Sequence, residues 1–328
     1  MKKFWISLGI LTLGLLAAMA AGFCFGSAVI PLPELLAVLA GQGRSEYQVI
    51  LMKLRLPRVL AGVLAGAGMA SAGVLLQSVT GNELASPNLI GINSGAGMAV
   101  ILTLTFVPTA GDLLPVAAFA GAFGAALLIL AVARWLSGSQ TAIILIGIAM
   151  TTLLNAVISF FSLLDEDILA QYNHFTIGSL KAVRLAELPV PALFIAMGFG
   201  TAMLLSGRLK IMCLGDSAAA ALGVRVRRLR LAALACAAAC AAAVVSFAGL
   251  LGFVGLIVPH IARRLVGQRP ERLLPAAGLI GGILVLLADL LGRVLAAPAE
   301  LPVGILMALI GAPYFLWMLF RRRGYAGI

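Results

Sequence analysis

Charge is what this sequence has least of. Asp, Glu, Lys and Arg make up only 11% of its 328 residues, where a water-soluble domain carries about a quarter. That shortfall excludes an ordinary globule in water. Histidine is scarcer still: His174 and His260 are the only two, and neither sits in HExxH spacing, so no helix-borne zinc site can be read. A G-x-x-x-x-G-K-[ST] phosphate loop is missing, which excludes that kind of nucleotide engine within the chain. The four cysteines, Cys24, Cys213, Cys236 and Cys240, form no CxxC pair and imply no disulfide framework. Cys236 and Cys240 lie one helical turn apart in an Ala-rich stretch, a spacing open to a soft metal. Two small, packing-tolerant residues account for it as well. Ser, Asp and His fall in different loops, so no nucleophilic triad can be argued.

Apolar sequence fills the space that charge leaves. Hydrophobic residues make up 62%, and the mean hydropathy is +1.12. A spanning helix needs roughly 20 apolar residues. Ten segments meet that test: 4–25, 57–79, 88–107, 114–135, 141–164, 188–206, 229–248, 250–266, 274–295 and 301–320. The seventh and eighth are nearly continuous, with Gly249 and Gly252 as the only break signals. The first segment also has the shape of a secretory signal, with Ala18-Met19-Ala20 as a cleavage site; it is read as a retained span.

The net charge of +11 might point to nucleic acid, but its distribution argues for a membrane and against nucleic acid. With the N-terminus inside, ten spans place all but seven of the 23 Lys and Arg residues in the cytoplasm, as the positive-inside bias requires. The seven outside are Arg44, Lys53, Arg55, Arg58, Lys181, Arg184 and Arg293. The chain is therefore expected to be an all-α polytopic membrane protein of about ten transmembrane helices, with both termini cytoplasmic.

Small residues crowd the helix faces. Gly62-x-x-x-Gly66 and Gly91-x-x-x-Gly95 permit close crossings, and Gly68, Gly73, Gly121, Gly124, Gly281 and Gly282 extend the pattern. Ion-coupled carriers usually keep carboxylates or His at mid-membrane, and this topology places none there. Asp289 and Arg293 sit a turn apart near the outer end of the ninth span, and Glu300 opens the tenth. A secondary transporter is thus disfavoured, and a membrane enzyme would need a clustered polar site that the sequence does not offer. His260, after Pro259 at a helix end, reads as structural, and His174 as a loop residue. The longest cytoplasmic connection, 207–230, carries Asp216 as a cap for the run SAAAALG and Gly223 as its stop. A short helix between basic flanks suits either docking into a partner's groove or lying on lipid.

Six motifs in order carry a resemblance over nearly the whole chain. They are Arg55-Leu56-Pro57-Arg58; Leu84-Ala85-Ser86-Pro87 with Leu89-Ile90-Gly91; and Gly215-Asp216-x-Ala218-Ala219-x-x-Leu222-Gly223. Then come Gly252-Phe253-Val254-Gly255-Leu256-Ile257-Val258-Pro259-His260; Leu287-Ala288-Asp289; and Glu300-Leu301-Pro302-Val303-Gly304 with Gly311-Ala312-Pro313. The chain resembles the permease subunits of ABC importers for iron–siderophore complexes, haem and cobalamin, the type II importers. It departs from their pattern at Asn82-Glu83, where Asn-Pro is common, and lacks the tryptophans often found near Ile177-Gly178-Ser179-Leu180.

The resemblance implies a single transmembrane permease domain over 1–328, with 207–230 as a cytoplasmic coupling segment, in a bacterial inner membrane. It implies a second permease copy or paralogue and an external substrate-binding protein. Two ABC ATPase subunits would bind ATP and Mg, leaving this chain no cofactor or metal of its own and no enzyme activity. Arg55, Arg58 and Arg293 would receive carboxylates of the binding protein. Gly215, Asp216, Ala218, Ala219, Leu222 and Gly223 would couple to the ATPase. Ser139, Gln140 and Thr141 would form the cytoplasmic gate. The fifth and tenth spans would border the pathway, with Asn155 and Ser159 facing it or making an interhelical hydrogen bond. The cargo would be a bulky metal chelate: ferric siderophore first, haem or cobalamin as alternatives.

Overall fold

The computed structural model describes residues 2–109, 111–136 and 140–323, and no strand occurs among them. The helices are α1 (Lys2–Cys24), α2 (Leu32–Leu39), α3 (Ser45–Gln48), α4 (Leu56–Thr80), α5 (Ile92–Phe106), α6 (Leu114–Leu136) and α7 (Gln140–Ser162). They continue with α8 (Glu166–Ile177), α9 (Pro189–Met212), α10 (Asp216–Ala221), α11 (Val226–Ala248), α12 (Val254–Val266), α13 (Pro270–Leu295) and α14 (Val303–Arg323). Each of the ten expected spans falls on one of them. Seven helices among the described residues are long and apolar enough to cross a membrane, while α5 and the apolar part of α14 are shorter.

Two spans differ from expectation. The second is one helix from Ser45 to Thr80, so Arg55 and Arg58 lie inside it and do not mark its start. Proline within a helix removes a donor and crowds the preceding turn. Here a π-helical stretch, Val49–Arg55, precedes Pro57 and widens that turn, and the Leu56 N–H reaches back to the Leu51 carbonyl. The eighth span is helical only over Val254–Val266, whose 13 residues rise about 20 Å, short of a bilayer core. Gly249, with φ +68°, ends α11, and residues 249–253 are not helical. The break is tied down by residues from other elements: Ser179 N–H donates to the carbonyl of Ala248, the last residue of α11, and Leu250 N–H to that of Phe175.

Helix α4 is the axis of the bundle. It packs against α13, α11, α12 and α9, and most of its residues are buried. Apolar burial does not distinguish one neighbour from another in lipid, so close van der Waals approach decides the packing. Gly66 and Gly281 provide that approach, because a Cβ on either would fall on the other's backbone carbonyl. Gly95 of α5 meets Gly121 of α6 in the same way, and a Cβ on Gly73 would fall on the carbonyl of Gly255 in α12. Gly91, with φ +67°, caps α5, and a Cβ there would fall on the Ile129 side chain of α6. Gly124 faces open space. One face of α7 stays uncovered, with Leu145, Ile148, Leu153 and Phe160 each more than half exposed.

Replacing Gly66 or Gly281 with Ala is expected to force α4 and α13 apart and cost about 1–3 kcal/mol, the usual overpacking range. Gly124→Ala should be neutral. Thermal unfolding in detergent measures this, and equal melting temperatures for all three variants would refute the backbone contact.

Candidate functional site

Polar chemistry gathers at the two ends of α4. At its N-terminal end, Arg58 forms a forked pair with Asp289 of α13: Nε lies 2.9 and 3.0 Å from the two carboxylate oxygens, and Nη2 lies 2.8 Å from Oδ1. Arg58 Nη1 also donates to Glu300 at 2.7 Å, and Ser27 Oγ donates to the other oxygen of Glu300 at 2.8 Å. Arg293 pairs with Asp289 at 3.1 Å, the one-turn pairing its spacing allows. The last four carbonyls of a helix lack internal donors and sit at the negative end of its dipole. Two arginines meet this need for α1. Arg293 Nη1 donates to the Gly22 and Phe25 carbonyls at 3.0 and 3.3 Å. Arg55 Nη1 donates to those of Phe23 and Cys24 at 3.0 and 2.6 Å, and its Nη2 to Ala28.

The structure thus brings together the three arginines singled out in the sequence and turns them inward: Arg55 is 4%, Arg58 7% and Arg293 2% exposed. Three guanidinium groups face two carboxylates, so the cluster keeps a positive balance. A hollow of about 310 Å³ opens onto it, lined by Arg55, Arg58, Lys181, Arg293 and Glu300 among others. Burial pushes the Glu300 carboxyl up. The hydrogen bonds from Arg58 and Ser27 and the charges of Arg58 and Lys181 outweigh this and hold it below its ordinary value.

At the other end of α4 lies α10. Gly215, with φ +99°, is its N-cap, and Gly223, with φ +79°, follows its last turn. The expected stop at Gly223 is where the sequence places it. The expected cap at Asp216 is not: the carboxylate makes no cap bond, because it reaches the buried Arg230 of α11, with both oxygens 2.7 Å from Nη2. Arg230 Nε donates to the Val79 carbonyl at 3.3 Å, tying α10 to the last turn of α4. Ala219 is fully buried against the bundle, Ala218 is half-buried, and Leu222 is 62% exposed. Beside α10 a hollow of about 340 Å³ is lined by Gln77, Asp216, Arg230 and Arg263, among others. Arg263 Nη2 donates to Gln77 Oε1.

Of the gate residues, Ser139 lies outside the described residues, Gln140 opens α7, and Thr141 is exposed. Asn155 and Ser159 share the uncovered face of α7, both exposed. Cys240 packs its sulfur where a side chain on Gly198 of α9 would fall. His260 meets Tyr314 edge to face at 6.3 Å. Three functional partners were not foreseen from the sequence: Glu300 and Asp289 as joint acceptors for Arg58, and Arg230 as the anchor of Asp216. Sequence separation hid the first two, and Arg230 is lost in a run of exposed basic residues.

Asp289→Ala would take from Arg293 its carboxylate and from Arg58 one of its two, leaving buried positive charge under-compensated, a loss expected to cost about 3–5 kcal/mol and to be seen as a fall in melting temperature. Glu300 yields a pH test. Its carboxyl is held low when folded, so its contribution is present above the ordinary glutamate value of about 4.3. That contribution disappears as pH falls through the lowered folded value. The gap in melting temperature between the native chain and Glu300→Gln should therefore narrow as pH drops from 7 to below 4. A constant gap would show that the Glu300 charge contributes nothing.

Known proteins share both the sequence and the architecture. The family model described as the FecCD transport family matches residues 13–321. The Fe(3+)-citrate import system permease protein YfmE of Bacillus subtilis is 40% identical over 276 residues, 84% of this chain and 83% of that one. The hemin transport system permease protein of Yersinia pestis is 38% identical, covering 84% of each. A solved metal-chelate type ABC transporter in an inward-facing conformation superposes with a TM-score of 0.85 at 30% identity, over 96% of this chain and 98% of that one. With the family model spanning residues 13–321 and relatives of 38–40% identity over most of both chains, this chain belongs to the FecCD transport family.

Proposed function

We propose that this chain is the membrane permease subunit of an ATP-driven importer at a bacterial inner membrane, moving a bulky ferric chelate from an external binding protein to the cytoplasm. The observation that carries this reading is the near full-length likeness to permeases of iron-chelate import. Ferric siderophore or citrate is the favoured cargo. Haem is the second reading, on the 38% identity to the hemin permease. In this reading the shorter helices α5, α12 and α14 complete ten spans, and both termini are cytoplasmic.

The α1 end of the cluster then faces outward. Its positive balance and open hollow suit a carboxylate of the binding protein, which would reach Arg55, Arg58 and Arg293 past Lys181. At the inner end α10, with Leu222 uncovered, enters a groove of the ATPase subunit. Two such subunits bind ATP with Mg and close on each other. The displacement passes from α10 through Asp216 and Arg230 to α4. The uncovered face of α7, with Asn155 and Ser159, pairs with or faces a second permease copy or paralogue across the pathway. Residues 139–141 stand at its cytoplasmic mouth.

Mild-detergent purification from native membranes should retain a stoichiometric ATPase subunit, and Leu222→Arg should lose it while melting as the native chain does. Retention of no ATPase even after cross-linking through Ala219→Cys would overturn the reading. Because the three arginines hold the fold, docking is better tested at the rim. Lys181→Glu should slow binding-protein association several-fold, more at low salt than at high. Association unchanged at low salt would remove the docking role.

A further inference from the structure

The inner end of the bundle carries a second cationic feature, beside the foot of α10. Between α9 and α11 lies a hollow of about 580 Å³, lined by Leu205, Ile211, Leu229 and Ala232 and edged by Arg208, Arg225 and Arg228, among others. A neighbouring hollow of about 520 Å³ shares Arg228 and adds Arg134, Arg227 and Leu231. Neither lining contains an acidic residue. Arg208, Arg225 and Arg228 are exposed, and among the described residues none of their guanidinium groups has an ion-pair or hydrogen-bond partner. Asp216, the one acid between Arg208 and Arg228 in the sequence, is already held by Arg230.

The level of this groove relative to the bilayer follows from helix length. Helix α9 begins at Pro189, and roughly 20 residues cross the hydrocarbon, which brings its lower boundary to the turn of Arg208. The antiparallel register set by Gly198 against Cys240 places that turn level with Arg228–Arg230 of α11. Leu205 and Ala232 then lie on the hydrocarbon side of the arginines. Trp135, 93% exposed at the end of α6, marks the same level, since indole rings collect at the headgroup interface.

We infer that this groove binds an anionic phospholipid of the cytoplasmic leaflet. Its phosphate sits among Arg208, Arg225 and Arg228, and an acyl chain lies along Leu205 and Ala232. Basic pockets between membrane helices at the cytoplasmic side supply the chemistry such headgroups need. Leu222, Gly223 and Val224 close the inner wall, so the bound lipid braces the foot of α10. The leaflet assignment rests on the importer orientation proposed above. The site itself does not.

The test is native mass spectrometry of the full chain in detergent with equal phosphatidylglycerol and phosphatidylethanolamine. The native chain should retain phosphatidylglycerol preferentially. Replacing all three arginines with Gln should lower that preference by roughly fivefold per arginine, and replacing them with Lys should restore most of it. Ala232→Trp keeps the charges but fills the groove, so it too should lose the lipid; it serves if the Gln variant fails to fold. Equal retention of the two lipids would overturn the inference. So would displacement by millimolar inorganic phosphate that Ala232→Trp leaves unchanged, the mark of a free-anion site. A Gln variant that keeps phosphatidylglycerol but sheds a co-purifying ATPase would reassign the arginines to the protein partner. Lipid retention is scored whether or not an ATPase co-purifies, so failure of the importer reading stays separate from failure here.

Discussion

The backbone-to-backbone crossing of α4 on α13 sets the geometry of everything described above. Gly66 and Gly281 leave no side chain between the two helices, so their separation and register are fixed by main-chain atoms. Arg58 lies as many residues from Gly66 as Asp289 does from Gly281, on the same side of the crossing. The two side chains therefore come level, and a forked pair forms between residues far apart in the chain. Move the helices apart by the width of a methyl group and that pair loses its alignment.

The arginine cluster is best understood through the energetics of buried charge. Taking ions out of water costs several kcal/mol each, and a paired cluster seldom exceeds a well-packed apolar core in stability. What such a cluster supplies is direction. Helix α1 shows the need, because only 11% of its most apolar window is buried and lipid offers no reason for it to prefer one neighbour. Arg55, just before α4, and Arg293 from α13 both bond carbonyls at its end, so its position is specified by directional hydrogen bonds from two separate elements. Asp289 and Glu300 then offset the charge that this arrangement concentrates.

Hydropathy made the helices legible because each span must be long and apolar. Partnerships were less legible. Asp289 and Arg293 could be paired by helical spacing, but Arg58 with Asp289 and Glu300 could not, since neither lies near it in sequence. Asp216 looked like a cap because it precedes an alanine run; the positive φ of Gly215 moves the start of α10 so that Asp216 is inside it, free to reach Arg230. The eighth span looked continuous because Gly249 to Phe253 is as apolar as its flanks. Its broken helix depends on donors and acceptors supplied by Phe175 and Ser179. Several motifs meet in space: the Gly304 N–H donates to the Gly178 carbonyl, and Phe253 packs where a side chain on Gly311 would lie.

The same interactions divide the bundle into a part that carries displacement and a part that absorbs it. Helix α4 is buried along most of its length and held at one end by Arg58 with Asp289 and at the other by the Arg230 bond to Val79. A helix so held moves as a unit, because bending it would break glycine contacts on two sides. Helix α7 is different: it packs on α5 and α6 and leaves its other face open. Rearrangement there costs few contacts within the chain. In the proposed coupling, motion delivered to α10 would pass through Arg230 to α4 and toward the arginine cluster, and relaxation would fall to α7, where Asn155 and Ser159 are uncovered.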